Sequence, residues 1–600
     1  MERKISDWLP TTLKEVKMRG WEYLDVIFFS GDAYVDHPSF GAAVIGRTLE
    51  AMDLKVAIVP QPNWRDDLRD FKKLGKPRLF FAVSAGAMDS MVNKYTANKR
   101  LRSNDAYTPD ARTDMRPEYP VIVYSNILKE LYPDVPVILG GIEASLRRLS
   151  HYDYWQDQLL PGILTLSKAD ILVYGSGEKP ICAIASALQN QVSLADIPQT
   201  VSLQKAYTKE DNDILLNGYE QCLANKILQA ANFKHIEEES NRMKAKRLIQ
   251  KTGDIYIVVN PPYPPMTTEE LDASYNLPYT RLPHPKYGNK QIPAYDMIRH
   301  SITIHRGCFG GCAFCTISAH QGKFITSRSK ESILREAEEV CRMPDFKGYI
   351  SDLGGPSANM YGMKGRDLEI CEKCKKPSCI FPEICKNIHA DHRPLLEIYR
   401  AVDKISGIKK SFIGSGIRYD LLVNRYAENE LNKAAEEYMQ ELISKHVSGR
   451  LKVAPEHTSH QTLDCIRKPD FDSFYRFKEK FDRINREENL RQQLIPYFIS
   501  SHPACTDLDM AELAVISKDL NFQLEQVQDF TPTPMTLSTE IYYSGVHPYT
   551  LKPVFTAKTK EEKLSQRKYF FWYNNEYRQS IINSLNRLNR PDLIKRLYKR

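Results

Sequence analysis

No stretch of this 600-residue chain runs to about 18 apolar residues without interruption, which excludes a membrane-spanning helix as far as a sequence can. No apolar core follows the charged start MERKISDWLP, so there is no signal peptide, and a cytoplasmic protein is the expectation. With 28 Gly and 35 Pro, the chain lacks the glycine or proline bias of collagenous or low-complexity proteins. No GxGxxG follows the first apolar run, so the dinucleotide fingerprint is missing too. Charge of one sign is scarce over most of the length: 83 Lys+Arg against 75 Asp+Glu leave +8. That surplus sits at the end. Residues 551–600 hold 13 basic and 4 acidic side chains, a basic tail that leaves nucleic-acid contact open.

Length points to two or three domains. Short apolar runs rich in β-branched residues occur at Asp25–Ser30, Lys55–Val59, Arg78–Val83, Val135–Leu139 and Ile171–Tyr174, with helical spacing between several, as in Ala42–Met52 and Ile142–Leu149. Runs apolar on both faces and separated by helices predict a doubly wound parallel sheet over residues 1–215. The run Val121–Tyr124 fits strand or helix. Between Gly86 and Tyr119 comes a polar excursion of the length expected of a lid or binding loop. Residues 216–290 read as a polar helical segment and a connector whose prolines at 261, 262, 264 and 265 prevent helix and central strand alike.

From residue 291 to 545 six further strand candidates alternate with helices: Ser301–Ile304, Gly348–Ser351, Lys410–Ile413, Gly449–Val453, Leu494–Ile499 and Leu524–Val527. Six such units predict a partial (β/α)6, TIM-like barrel working at the carboxyl ends of its strands. Residues 546–600 read as a basic helical extension, with Arg587, Arg590, Lys595, Arg596, Lys599 and Arg600 near its end.

Cysteine placement says more than the count of 12, since seven fall into two sets. A chain this size needs no disulfide staples, so crowding points to metal. Cys308, Cys312 and Cys315 follow the first barrel strand in the order CxxxCxxC, three soft ligands from one tight loop. Three thiolates on a 4Fe-4S cubane leave one iron open to a substrate. Gly307, Gly310 and Gly311 suit the loop to wrapping a bulky cluster, and Phe309 and Phe314 suit it to screening one from water. The second set, Cys371, Cys374, Cys379 and Cys385, lies in a polar insertion at 364–392 that has little to bury. A second metal, zinc or iron–sulfur, would give that segment folding energy, and unligated thiols are the other reading.

CFGGCAFC resembles the signature of the radical S-adenosylmethionine superfamily. FFSGDAYVDHPSFG, VILGGIEASLRRLSHYDYW, SDLGGPSANMYGM, SFIGSGIRYD, LKVAPEH and VQDFTPTPMT resemble its YgiQ-type branch, and together the likeness spans Phe28 to Thr536. The resemblance implies an enzyme in which Cys308, Cys312 and Cys315 hold a 4Fe-4S cluster. The open iron would chelate S-adenosylmethionine, and one electron, from a donor such as flavodoxin or ferredoxin, would cleave it to methionine and a 5′-deoxyadenosyl radical. It also implies cofactor contacts for Gly354 and Gly355 after the second strand, Ser415 and Arg418 after the third and Glu456 after the fourth. Asp352 would bond the cofactor or cap a turn. The N-terminal unit is similar to cobalamin-binding domains in GGIEAS and GSGE, but Asp36-His37-Pro38-Ser39-Phe40-Gly41 fails the DxHxxG pattern of histidine-ligated cobalamin. That mismatch argues against cobalamin held by histidine; cobalamin without a protein ligand is compatible with the sheet, but a degenerate domain that supplies substrate-binding loops is preferred and cobalamin is not expected. Two alternatives stand beside the enzyme of unknown substrate: a non-catalytic iron–sulfur binding or maturation factor, and an RNA-modifying radical enzyme.

Overall fold

Strands apolar on both faces have little to give to water, and the first five of the main sheet form one end of its nine strands, with Val56–Pro60 at the edge. The computed structural model describes residues 3–598; Lys599 and Arg600 lie outside the described residues. The sheet runs Val56–Pro60, Val26–Ser30, Phe80–Ser84, Val137–Gly140, Ile171–Val173, Thr200–Gln204, Ile255–Val259, Leu248–Thr252 and Ile214–Leu215. The strands Val26–Ser30, Val56–Pro60 and Phe80–Ser84 are buried throughout. Successive residues point to opposite faces, and each face has its own apolar cluster. Val26, Phe28, Val56 and Ile58 pack on one side, Ile27, Phe29, Ala57 and Val59 on the other.

The first five strands pair in parallel, as the apolar runs predict. The other half corrects the expectation of an all-parallel sheet. Thr200–Gln204 pairs antiparallel with Ile171–Val173 and with Ile255–Val259, which pairs antiparallel with Leu248–Thr252. The reason is local: the two-residue turn Gly253–Asp254 can only reverse the chain. The sheet is therefore mixed and takes in strands from beyond residue 215. Val121–Tyr124 lies within the helix Pro120–Leu131.

Both polar excursions are fastened to the carboxyl end of the first strand. Arg116, in the 86–119 segment, is buried between Asp32 and Asp105, 2.9 Å from each. The proline-rich segment returns to the same place: Thr280 donates its backbone N–H to Asp36 at 2.8 Å, Val35 pairs with Pro283, and His284 N–H bonds the Tyr34 carbonyl at 3.0 Å.

Beyond residue 300 the barrel strands pair in parallel, two short antiparallel ladders (His305–Arg306 with Thr326–Ser327, Lys364–Gly365 with Ile388–His389) lie beside them, and the ladders do not close into one sheet. Ser301–Thr303 pairs with Asp352–Gly354, Tyr349–Ile350 with Lys410–Ser411, and Arg450–Glu456 with Gln493–Ser500, which pairs with Gln526–Asp529. This is a partial barrel around one large core that includes Ile302, Leu353, Tyr399, Tyr438 and Phe474. The C-terminal helices Asn575–Arg587 and Pro591–Tyr598 belong to that core, burying Ile581, Leu585, Leu593 and Leu597 in it. No helix among the described residues is long and apolar enough to cross a membrane.

Candidate functional site

The three-cysteine loop leaves the first barrel strand through His305–Arg306, which pairs antiparallel with Thr326–Ser327. Gly307 then takes φ +88°, where a side chain is strained, and a Cβ there would lie 2.2 Å from the Phe324 carbonyl oxygen. Cys308 is buried and its Sγ lies 3.6 Å from the Ser357 hydroxyl. Burial pushes the Cys315 thiol up to about 12, with Cys312 and Cys308 adding to it; burial and then Cys312 raise Cys308 in the same direction. Charge on one of these sulfurs therefore raises the cost of charge on the others. Cations stand around them. Arg418 Nη1 is 3.4 Å from Cys312 Sγ, and Lys468 lowers the cost of charge on Cys315. Repelling thiols ringed by cations fit an anionic iron–sulfur cluster, although no group of three or more His, Cys, Asp or Glu among the described residues is drawn together as a finished metal site.

The second cysteine set presses on the first. Gly311 takes φ +61°, and a Cβ there would sit 2.5 Å from the Pro377 carbonyl oxygen; Cys379 donates its backbone N–H to the Phe309 carbonyl at 3.0 Å. The Ser378 hydroxyl bonds the Gly310 carbonyl at 2.8 Å. Burial raises the Cys379 thiol to about 11, with Lys323 opposing and Cys385, Cys374 and Cys371 adding. Lys323, only 2% exposed, places Nζ 3.6 Å from Cys374 Sγ. Nothing in the cysteine spacing signals that lysine, 48 residues before Cys371.

The six expected cofactor contacts divide. Asp352, Gly354, Gly355 and Ser415 line a cavity of about 590 Å³ between the barrel and the carboxyl ends of the N-terminal sheet. Asp352 Oδ1 accepts the backbone N–H groups of Gly414 (2.8 Å) and Ser415 (3.0 Å), and Asp352 also bonds the Ser415 hydroxyl, so this carboxylate holds the Gly414–Ser415 turn against the cavity. Gly354 abuts both; a Cβ there would lie 2.8 Å from Ser415 Oγ. Arg418 and Glu456 are not in that wall. Arg418 pairs with Asp420, Nη2 to Oδ2 2.6 Å, and turns its other nitrogen to Cys312. Glu456, with φ +68°, faces Lys468 at 3.4 Å.

Sequence reasoning missed the cavity's histidines. His305 is fully buried, neither ring nitrogen has a partner, and burial pushes it down to about 3, a neutral imidazole beside Gly355. His320, pushed down to about 4 by burial, lines the same space. Arg306 pairs with Glu178 of the N-terminal half at 2.5 Å, joining the two walls. The only sequence signal for these was adjacency: His305 and Arg306 precede Gly307, and Glu178 ends GSGE.

The chain is 67% identical, over all of its length and 99% of the relative's, to a UPF0313 protein of Bacteroides thetaiotaomicron. A UPF0313 protein of Methanocella arvoryzae is 46% identical over 97% of this chain and 96% of its own. This chain belongs to the UPF0313 family. The family model described as Radical SAM N-terminal matches residues 8–301 of this UPF0313 protein. Among solved structures, the radical S-adenosylmethionine methyltransferase TsrM of Kitasatospora setae, with cobalamin and a [4Fe-4S] cluster bound, aligns at TM-score 0.46 and 14% identity, covering 85% of this chain and 77% of that one. The cobalamin-dependent S-adenosylmethionine radical enzyme OxsB, with aqua-cobalamin bound, aligns at TM-score 0.46 and 10% identity, covering 93% and 57%. Both solved structures are of cobalamin-binding enzymes, contrary to the expectation against cobalamin, which is not carried further. The physical reason is that a failed DxHxxG speaks only to a histidine ligand. His37 is indeed buried and spent on its own turn, Nδ1 accepting the Ser39 N–H at 3.1 Å, but this says nothing of cobalamin held without one.

Proposed function

We propose that this UPF0313 protein, as a member of the YgiQ-type branch, is a radical S-adenosylmethionine enzyme. The observation that carries the reading is three thiols, Cys308, Cys312 and Cys315, that raise one another's ionisation cost in one buried loop, with Arg418 Nη1 3.4 Å from Cys312 Sγ. When bound, a reduced 4Fe-4S cluster supplies the electron that cleaves S-adenosylmethionine to methionine and a 5′-deoxyadenosyl radical. The chain's part is to bind, orient and exclude water. Phe309, buried behind Cys308, keeps water from the loop. Gly354, Gly355 and the Asp352-braced Ser415 offer backbone and hydroxyl groups to a polar cofactor in the adjoining cavity. Arg306 and Glu178 keep the N-terminal sheet closed over it.

The four cysteines Cys371, Cys374, Cys379 and Cys385 hold a second metal in this reading, with Lys323 offsetting part of the thiolate charge.

Anaerobic reconstitution of the full chain, followed by iron and sulfide analysis, tests the reading. Wild type takes up a cluster with the electron paramagnetic resonance of a reduced 4Fe-4S centre, and with dithionite and S-adenosylmethionine it yields 5′-deoxyadenosine. The Cys308→Ala/Cys312→Ala/Cys315→Ala variant does neither. Equal product from both would reject the assignment.

A further inference from the structure

A cavity of about 220 Å³ outside this site gathers an unusual set of side chains. It forms where the helices Leu537–Ser544 and Lys560–Arg567 meet the hairpin of His151–Asp153 and Gln158–Leu160. Four lysines converge on it: Lys99, Lys226, Lys558 and Lys563. Among the described residues none of the four forms an ion pair, although lysines elsewhere do, as Lys179 with Glu270 at 2.7 Å. Lys563 is 4% exposed and reaches only the neutral hydroxyls of Tyr154 (2.8 Å) and Tyr542 (3.3 Å). Asp157 is the one carboxylate in the wall, and it accepts the Tyr152 hydroxyl at 2.5 Å.

The lysines pay for this crowding. Burial pulls Lys563 down to about 8, and Lys99 lowers it further; burial and then Lys226 lower Lys558. A solvated lysine would swing away from such neighbours. These are held by aromatic faces: Lys99 Nζ stands 4.7 Å from the Tyr154 ring centre and Lys226 Nζ 4.7 Å from that of Tyr543. Tyr543 is itself fixed by stacking on Tyr152, ring centres 4.9 Å apart. The wall thus presents ammonium groups and ring faces to one point, with little negative charge to satisfy them.

The helix Lys560–Arg567 shares this wall with a larger cavity of about 600 Å³. There Lys560 and Arg567 stand with Arg100 and Arg102, and Phe314, beside Cys315, forms part of the floor. A group anchored by Lys563 would lie on the approach to the cysteine loop.

We propose that the four-lysine, four-tyrosine cavity binds a phosphoryl group of a nucleotide unit, either free or within a single-stranded RNA. A phosphoryl group carries up to two negative charges and several strong acceptor oxygens, which a single carboxylate lacks. Lysines serve it as point charges, and a base attached to it can stack on tyrosine. The assignment is independent of the radical chemistry, because binding needs no cluster.

Two probes separate the two sources: adenosine 5′-diphosphate by titration calorimetry, and a 5′-fluorescein-labelled 20-nucleotide single-stranded RNA by anisotropy, both with the full chain. At least one binds, and Lys226→Glu/Lys558→Glu weakens it tenfold or more, while Lys14→Glu/Lys17→Glu, an equal charge change on the helix Leu13–Met18, leaves it within twofold. Lys563→Met, which keeps the buried stem, weakens it at least fivefold. Binding of the RNA alone assigns the site to a strand's backbone; binding of the diphosphate alone assigns it to a small phosphorylated molecule. Failure of both probes to bind wild type, or equal loss in the two double variants, overturns the proposal.

Discussion

Arg418 is poised between a carboxylate and a sulfur. Its bond to Asp420 fixes the guanidinium, and the nitrogen left over stands 3.4 Å from Cys312 Sγ. A fixed cation there stabilises the more negative, reduced state of any cluster on that sulfur. Replacing Arg418 by Met together with Asp420 by Asn removes the cation without stranding a buried carboxylate. The cluster's reduction potential should fall by about 60 mV, the one-electron equivalent of about 1.4 kcal/mol. A redox titration followed by electron paramagnetic resonance reads this directly, and an unmoved potential would remove Arg418 from the site.

Glu540 shows a different cost. Burial raises its carboxyl from 4.5 to about 8, only Gln229 opposes the shift, and Oε2 has no partner. Between pH 4.5 and about 8 the folded chain keeps a proton that the unfolded chain releases. Stability therefore falls as pH rises through that window. Glu540→Gln should melt at least about 2 °C above wild type at pH 8, and the gap should close at pH 5. A constant gap across pH would show that this carboxyl does not titrate there.

At the scale of elements, the Cys-rich insertion and the cluster loop brace each other through Gly311, Pro377, Ser378 and Cys379. If the four cysteines of the insertion hold a metal, its loss should loosen the loop. Cys374→Ala and Cys379→Ala are each expected to lower the melting temperature and the zinc or second-site iron content, with slower uptake at the first site as a secondary effect. Metal analysis beside thermal unfolding checks it; unchanged metal and melting would leave four free thiols. Neither the contact nor Lys323 was legible in the sequence, because a spacing of 66 residues between Gly311 and Pro377 carries no periodic signal. Strands buried on both faces were legible, since Val26–Phe29 and Val56–Val59 have no polar position. Leu248–Thr252 was hidden between the stretch read as polar helix, which ended at Leu248, and the proline-rich connector, where Gln250 and Lys251 break the apolar run. The candidate site was half legible: Asp352, Gly354, Gly355 and Ser415 reach one cavity, whereas Arg418 and Glu456 turn toward the cysteines and Lys468.

For the whole molecule, the basic C-terminus is part of the barrel. Ile581 and Leu585 are fully buried in the main core despite a sequence dominated by charge. Each truncated to Ala should cost about 2–5 kcal/mol, read as a lower denaturant midpoint. A midpoint unchanged in both variants would mean that these helices sit free of the core.

The clasp between the proline-rich segment and the first strand also orders events during synthesis. Asp36 and Tyr34 leave the ribosome early, but Thr280 and His284, which bond to them, follow about 245 residues later. At about 5–20 residues per second, the nascent chain spends on the order of ten seconds or more with that strand end unfastened. Through that interval the apolar strand Val26–Ser30 must be shielded by its own partial sheet or by a chaperone, so the delay bears on the yield of folded chain rather than on its final stability.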